Sequence, residues 1–397
     1  MIRFLTAGES HGKCLSLIME GVPAGLQLSA QDINRDLTRR QIGYGRGGRM
    51  KIESDKADIT AGVRTGVTLG SPIAITIQNK DWENWQDVMS PEPEISDRQD
   101  SVVVTKPRPG HADLAGGIKY HHKDLRNILE RASARETATR VAIGAIAKRI
   151  LEEINVFVTS FIIQIGDGFI SNNSQWMQDL SSKDVFKEFQ GKLDNSPVRC
   201  PDVAAEKLMI QAIDSAKDTG DSIGGVFQVV VFNVPPGLGS HVHWDRRLDA
   251  RIAYALMSIP AIKGVEFGLG FESAKRKGSQ VHDEIYYAPE SGFYRKTNNA
   301  GGLEGGITNG ENIVVKAVMK PIPTLSRPLK SVDFISKEPF LATKERSDVC
   351  AVPAAGVVGE AMVAIEIVNA VLEKFGGDNI SEMKQAFNAY IEYVSNI

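Results

Sequence analysis

The chain has 397 residues and a formal net charge of −3, from 46 Lys and Arg against 49 Asp and Glu. That balance excludes a generally basic nucleic-acid binder, and 42% apolar with 24% charged residues excludes long-range disorder. Its 37 glycines exceed the roughly 28 expected at a base rate near 7%, and they form no low-complexity tract.

In chain order, Met1 to Glu9 lacks the long apolar core of a secretory signal. No run of 18 or more wholly apolar residues occurs, so no membrane span is expected. Gly8-Glu-Ser-His-Gly12 leads into an apolar strand that ends at Val22-Pro-Ala-Gly-Leu26, and Ser29 to Gln41 then follows a helical period. Asp81 to Lys106, with Ser90-Pro-Glu-Pro-Glu94, reads as an exposed excursion. Ser133-Ala-Arg-Glu136 fits a capping box opening a helix whose apolar stripe is Val141, Ala145, Ile146, Ile150 and Leu151. Asn173 to Pro201 reads as loop-rich. Trp244 to Met257 has a helical period, Ile313 to Val318 reads as a strand, and Gly359 to Phe375 predicts a helix stopped by Gly376-Gly377. No linker cuts the chain, so one composite domain over 1–397 is expected.

The stretch from Gly8 to Leu26 lies on Gly220 to Leu238 without a gap, at an offset of 212. Identities fall at Gly8/Gly220, Ser10/Ser222, Gly12/Gly224, Val22/Val234, Pro23/Pro235, Gly25/Gly237 and Leu26/Leu238. Each copy reads as a Gly turn, an apolar strand and a Val-Pro-x-Gly turn before a helical run. This predicts a duplicated unit and a pseudo-symmetric fold with halves beginning near 8 and 220. His11 faces Ile223 across the repeat, and an imidazole present in one copy only points to function.

Several segments could carry chemistry. Gly43-Tyr-Gly-Arg-Gly-Gly48 matches G-x-G-x-x-G, but a dinucleotide fingerprint follows a strand and opens a helix. Here a helical run precedes it, and Met50 to Ser54 reads as extended. What remains is Arg39, Arg40, Arg46 and Arg49 on a Gly-rich loop, either a solvated basic loop or a site for a small polyanion. Without aromatic stacking platforms it does not fit nucleic acid. Arg108-Pro-Gly-His111-Ala-Asp113 places an imidazole in a rigid turn, either as a surface histidine or as a proton-transfer group. Arg131 and Arg135 flank Ser133, where a capped helix start could bind an anion. Asn299 to Gly310 allows close approach of a flat ligand, or is a wide turn. Arg346-Ser-Asp348 pairs a cation with a carboxylate. Cys14, Cys200 and Cys350 are too far apart for a disulfide framework or a spaced zinc site, so no metal is expected, and a reducing cytoplasm is the simplest compartment. No P-loop, H-E-x-x-H or nucleophile elbow occurs. Together these segments describe an enzyme acting on a small, multiply anionic substrate. The competing reading from another class is a non-catalytic module that binds a flat ligand or an anion.

In this order the motifs resemble the chorismate synthase family. The resemblance rests on Gly8-Glu-Ser-His-Gly12, Glu130-Arg-Ala-Ser-Ala-Arg-Glu-Thr-Ala138, Arg346-Ser-Asp-Val-Cys350, the 108–113 segment and Gly-Gly-Leu-Glu-Gly-Gly-Ile at 301–307. It departs at Ala132, where many relatives have serine, and at Pro260-Ala261, where many have Gln-Ala or Asn-Ala. The resemblance implies an α+β fold, a β-α-β sandwich with internal pseudo-two-fold repeat, assembled as a homotetramer. It implies a carbon–oxygen lyase that eliminates phosphate from 5-enolpyruvylshikimate 3-phosphate with reduced FMN. His11, His111 and Asp348 would be catalytic. FMN would be held by Arg131, Ala132, Ser133, Pro260, Ala261, Gly305, Lys320, Pro321, Ile322, Pro323, Thr324 and Arg346. Ser10, Arg49, Arg108 and Arg135 would bind substrate, and Arg40 and Arg46 would bind substrate or NADP. The flavin would be reduced by an external system, with NADPH an indirect reductant; the alternative is a bifunctional synthase with its own NADPH-dependent flavin reductase. No nucleic-acid or membrane partner is implied.

Overall fold

Alternation of buried and exposed positions builds the first sheet. The computed structural model describes residues 1–47, 54–92, 103–171, 182–290, 292–342 and 348–397. In β2 (Cys14–Glu20) Leu15, Leu17 and Met19 point inward, a period of two that gives one buried face. β1 (Arg3–Ala7) pairs with it on one side. Helix α1 (Ala30–Gln41) follows, opened by Ser29, whose backbone N–H donates to Asp32 at 2.8 Å. Then come β3 (Ala57–Ala61), the short hairpin β4 (Val63–Arg64) and β5 (Val67–Thr68), and β6 (Ile73–Gln78), which buries Ile73, Ile75 and Ile77. The sheet order is β1-β2-β6-β3, antiparallel throughout.

Short helices α2 (Gln86–Met89), α3 (Asp113–Tyr120) and α4 (Arg126–Ala132) lead to the long α5 (Thr137–Glu152). The second sheet begins with β7 (Phe157–Ile165) and β8 (Gly168–Phe169). Helices α6 (Lys183–Asn195) and α7 (Val203–Asp218) precede β9 (Gly225–Phe232), α8 (Leu248–Met257) and β10 (Ile262–Phe267). A protruding hairpin, β11 (Ile285–Ala288) and β12 (Gly292–Arg295), comes next. It is followed by the short hairpin β13 (Leu303–Glu304) and β14 (Ile307–Thr308), then β15 (Ile313–Met319). The order is β10-β15-β9-β7-β8. Read as β7-β9-β15-β10, it repeats β1-β2-β6-β3 strand for strand. In this second half α8 stands in the place of α1, and the β13–β14 hairpin in that of β4–β5. The duplicated unit read from the sequence is therefore a physical repeat of both sheets. The chain finishes with β16 (Lys330–Val332), β17 (Pro339–Leu341), α9 (Val352–Phe375) and α10 (Ile380–Ser395).

Helices fill the space between the sheets. α5 packs on α1, α9 and β2, while α9 packs on β7 and β9, giving a β-α-β sandwich. The α5–α9 crossing is close because Gly144 has no side chain; a Cβ there would collide with Ala361. α9 starts at Val352, earlier than expected, because Pro353 is tolerated in a first helical turn. It is long and apolar enough to cross a membrane by composition, but 94% of its apolar window is buried inside the protein. An all-round apolar helix of this kind is the core of the sandwich.

Three further expectations change. The 173–201 region is not all loop: its described part contains α6, which docks by Phe189 and Leu193, one turn apart. Residues 172–181 lie outside the described residues. Trp244 to Met257 divides into a 3-10 turn, Trp244–Arg246, and α8. Ser133 caps Arg135 of a 3-10 turn rather than opening α5, and Glu136 pairs with Arg140 instead of reaching back.

One polar cluster sits inside the helix layer. Glu360 on α9 is fully buried and accepts from Arg39 at two distances of 2.7 Å, from Lys148 at 3.0 Å and from Arg199 at 3.2 Å. Burial alone would raise its pKa, but Arg39 and Lys148 outweigh that and hold the carboxyl well below the usual range. Arg39 therefore ties α1 to α9 and does not join the polyanion site suggested by the four-arginine loop.

Candidate functional site

A cavity of about 480 Å3 opens where the ends of both halves meet. The β1–β2 turn contributes Ser10 and His11. The end of α1 contributes Arg40, and the loop after it Arg46 and Gly47. Arg108 to Ala112, the α4–α5 junction, residues 259–261 after α8, the chain leaving β15 and the start of α9 close the walls. Small apolar groups (Ala132, Ala351, Ala354 and Ala355) are part of the lining, and Arg40, Arg46, Arg108, Arg135 and Lys320 supply positive charge. Such a lining suits a flat ligand bearing anionic groups.

His11 is fixed by Glu130. The ring Nδ1 lies 2.9 Å from Oε1, and the His11 backbone N–H donates to Oε2 at 2.9 Å. Burial would raise the Glu130 pKa, yet its hydrogen bonds and charge interaction with His11 lower it. Trp85 stacks on the imidazole with ring centroids 4.0 Å apart.

His111 follows Gly110, whose φ of +81° is the left-handed region that glycine tolerates. Its Nδ1 lies 2.5 Å from Asp113 Oδ1, and Arg108 Nε donates to Asp113 Oδ2 at 2.9 Å. Burial opposes the charge on Asp113, but the bonds from His111 and Arg108 prevail and hold it far below the usual carboxylate range. Asp348 accepts from the Gly47 N–H at 2.6 Å and pairs with Arg46 at 3.0 Å.

The other cations are anchored from behind. Arg135 donates to Asn79 at 2.9 Å and Asp55 at 2.7 Å. Arg40 donates to the Thr137 hydroxyl and the Ala134 carbonyl, each at 3.0 Å. Lys320 Nζ donates to the Gly110 carbonyl at 2.6 Å, joining the 108–113 turn to the chain after β15, and burial pushes its pKa down. Ser133 Oγ lies 3.2 Å from Ser10 Oγ.

Of the expected site residues, Ser10, His11, Arg40, Arg46, Arg108, His111, Ala132, Ser133 and Arg135 line the cavity, as do Pro260, Ala261, Lys320, Ile322, Pro323, Thr324 and Asp348. Ala261 adopts a φ of +69°, a strained conformation for a residue with a side chain. Pro321, Arg131 and Gly305 are not among the lining residues. Arg131 turns to the Thr6 and Gly8 carbonyls, at 2.9 and 3.1 Å. Gly305 sits in the β13–β14 turn near His241. Arg49 and Arg346 lie outside the described residues, as do Met50 to Glu53. Sequence reasoning missed Glu130, Asp113, Asp55, Asn79 and Trp85. Glu130 and Asp113 stood within quoted motifs, and in the fold each lies at hydrogen-bond distance from a candidate histidine. Trp85 and Asp55 carry no local signal, because their partners are remote in sequence. The 81–106 excursion is thus partly tied down, although residues 93–102 lie outside the described residues.

The family model for chorismate synthase matches residues 2–372. The chain is 56% identical over 404 residues to chorismate synthase of Geobacter sulfurreducens, covering 99% of each chain. It is 58% identical over 393 residues to that of Syntrophotalea carbinolica, covering 99% of this chain and 98% of the relative. A solved structure described as the crystal structure of chorismate synthase superposes with a TM-score of 0.80 at 46% identity, covering 100% of this chain and 99% of the other. With the fold, the cavity and these likenesses in agreement, the chain belongs to the chorismate synthase family of carbon–oxygen lyases acting on phosphates.

Proposed function

We propose that the chain converts 5-enolpyruvylshikimate 3-phosphate to chorismate and phosphate by 1,4-anti elimination, with reduced FMN and no net redox change. The observation that carries this reading is the convergence of two carboxylate-held histidines and five cationic side chains on one cavity. The substrate's two carboxylates and phosphate match that charge. Arg40, Arg46, Arg108 and Arg135, with Ser10, hold these anions through guanidinium forks and a hydroxyl.

The cavity fits a flavin. Its small alanines admit a flat ring, and Ser133, Pro260, Ala261, Lys320, Ile322, Pro323 and Thr324 also line it. Those residues and Ala132 would hold the group, with Pro321 and Arg346 assigned to it by the family resemblance alone. Gly305 and Arg131 belong to the same proposed set, although they lie off the cavity lining. When bound in reduced form, FMN supplies electron density that eases breakage of the C–O bond.

The protein's own groups manage protons. His11 Nε2, the nitrogen not taken by Glu130, gives a proton to the departing phosphate. Asp348 helps draw off the ring proton, and His111 would manage the protonation of the reduced flavin. Each such role is worth roughly 10²–10⁴ in rate. His11→Ala is therefore expected to lose turnover by that factor while keeping its affinity for FMN; an unchanged rate removes His11 from the reaction.

We assign flavin reduction to a separate system, with NADPH acting only indirectly. The homotetramer is supported by exposed apolar side chains on the β11–β12 hairpin, Ile285, Tyr287 and Phe293, which a neighbouring copy would cover.

A further inference from the structure

Glu130 is 2% exposed, and both its oxygens are committed to His11. Oε1 and Oε2 lie 2.9 and 3.0 Å from Nδ1. Arg126 donates to Oε1 at 3.3 Å, and its guanidinium also sits 5.2 Å from the Trp85 ring centroid. Trp85 stacks on His11 and is itself held by a bond from its Nε1 to Asp81 at 2.9 Å.

The fold does not require this carboxylate. The turn is already stapled to α4 by a main-chain bond from Ser10 N–H to the Glu130 carbonyl at 3.1 Å. The internal repeat supplies a control. In the second half Ile223 stands where His11 stands, and its N–H donates to a peptide carbonyl, that of Val349, at 2.9 Å. The aligned segment thus enters its strand with a backbone acceptor where no imidazole is present. The carboxylate is found where the imidazole is.

A carboxylate at Nδ1 has defined consequences. It accepts from Nδ1–H, so a neutral ring carries its proton there and leaves Nε2 to the cavity. The stacked indole fixes the ring plane.

We propose that Glu130 is a positioning residue for His11, setting its tautomer and orientation, with Trp85 holding the ring in plane. This rests on the reading of His11 as the proton donor. In Glu130→Gln, kcat falls roughly 10- to 100-fold while KM and FMN affinity stay near wild type. Glu130→Asp restores part of the rate. A Glu130→Gln enzyme with wild-type kcat, beside a crippled His11→Ala, overturns the role of Glu130. A fully active His11→Ala overturns the reading of His11 instead. Nitrogen-15 spectra of the histidine-labelled wild-type enzyme need no variant: a neutral His11 ring protonated at Nδ1 supports the proposal, and one protonated at Nε2 contradicts it.

Discussion

Thr68 and Thr308, 240 positions apart, hold the same joint in the two halves. Thr68 Oγ1 donates to the Pro23 carbonyl at 2.6 Å and accepts from Leu26 N–H at 3.0 Å. Thr308 Oγ1 donates to the Pro235 carbonyl at 2.7 Å and accepts from Leu238 N–H at 2.8 Å. The paired Val-Pro-x-Gly-Leu turns need Gly25 and Gly237 at φ of +86° and +90°. The hydroxyl satisfies two buried main-chain groups that would otherwise lie unpaired.

Thr68→Val and Thr308→Val are each expected to cost about 1–3 kcal/mol, because valine keeps the shape but strands a buried donor and acceptor. Denaturant midpoints of the single and double variants measure this. The two sites share no partner, so the losses should add to within about 0.5 kcal/mol.

Glu360 is the negative centre of the helix layer, facing Arg39, Lys148 and Arg199. Glu360→Ala leaves the three buried cations with only Asp36 and Asp194 as partners, an excess of one buried charge, for an expected loss of about 3–5 kcal/mol. Thermal unfolding followed by circular dichroism tests it; a change below about 1 kcal/mol would show that water or rearranged acids replace the carboxylate.

The same cluster predicts acid sensitivity. Burial opposes the charge on Asp36, but Lys148 and Arg39 outweigh it and lower its pKa from 3.8 to about 2. Glu360 and Asp113 are lowered too. A lowered folded-state value means the stabilisation is complete above the ordinary carboxylate value and is lost as pH falls through the folded one. Melting temperature should therefore be little affected by these groups from pH 5 to 8 and should drop between about pH 4 and 2. A main loss centred near pH 6 would point to histidines instead.

Arg46 offers a test of what the cationic wall binds. It lines the cavity and pairs with Asp348. If it holds a substrate anion, Arg46→Ala raises substrate KM about 10- to 100-fold, in line with about 1.5–3 kcal/mol for a charged hydrogen bond, and leaves FMN affinity unchanged. An unaltered KM with loss of NADPH binding would assign Arg46 to the nucleotide.

Much of this was legible because it is local. Turn glycines, strand alternation and the 212-residue offset announced the repeat. Clustered motifs named most of the cavity-lining side chains. What the sequence hid depends on distant partners. Arg39 and Arg40 are adjacent in an arginine-rich run, yet one enters the helix layer to meet Glu360 while the other reaches the cavity. Helical geometry sends neighbours in different directions, and nothing local says which arginine finds an acid. Ser133 fitted a capping box, but the tight turn it begins bends before α5 and frees Glu136 for Arg140. Trp85 lay in a polar stretch with no periodicity, and only the folded chain brings it onto His11.

The most direct test of the central claim is phosphate release under nitrogen. Purified protein, given chemically reduced FMN and 5-enolpyruvylshikimate 3-phosphate, is predicted to release one phosphate per chorismate formed over many turnovers of a catalytic amount of flavin. No phosphate release from correctly folded, flavin-loaded protein would contradict the account.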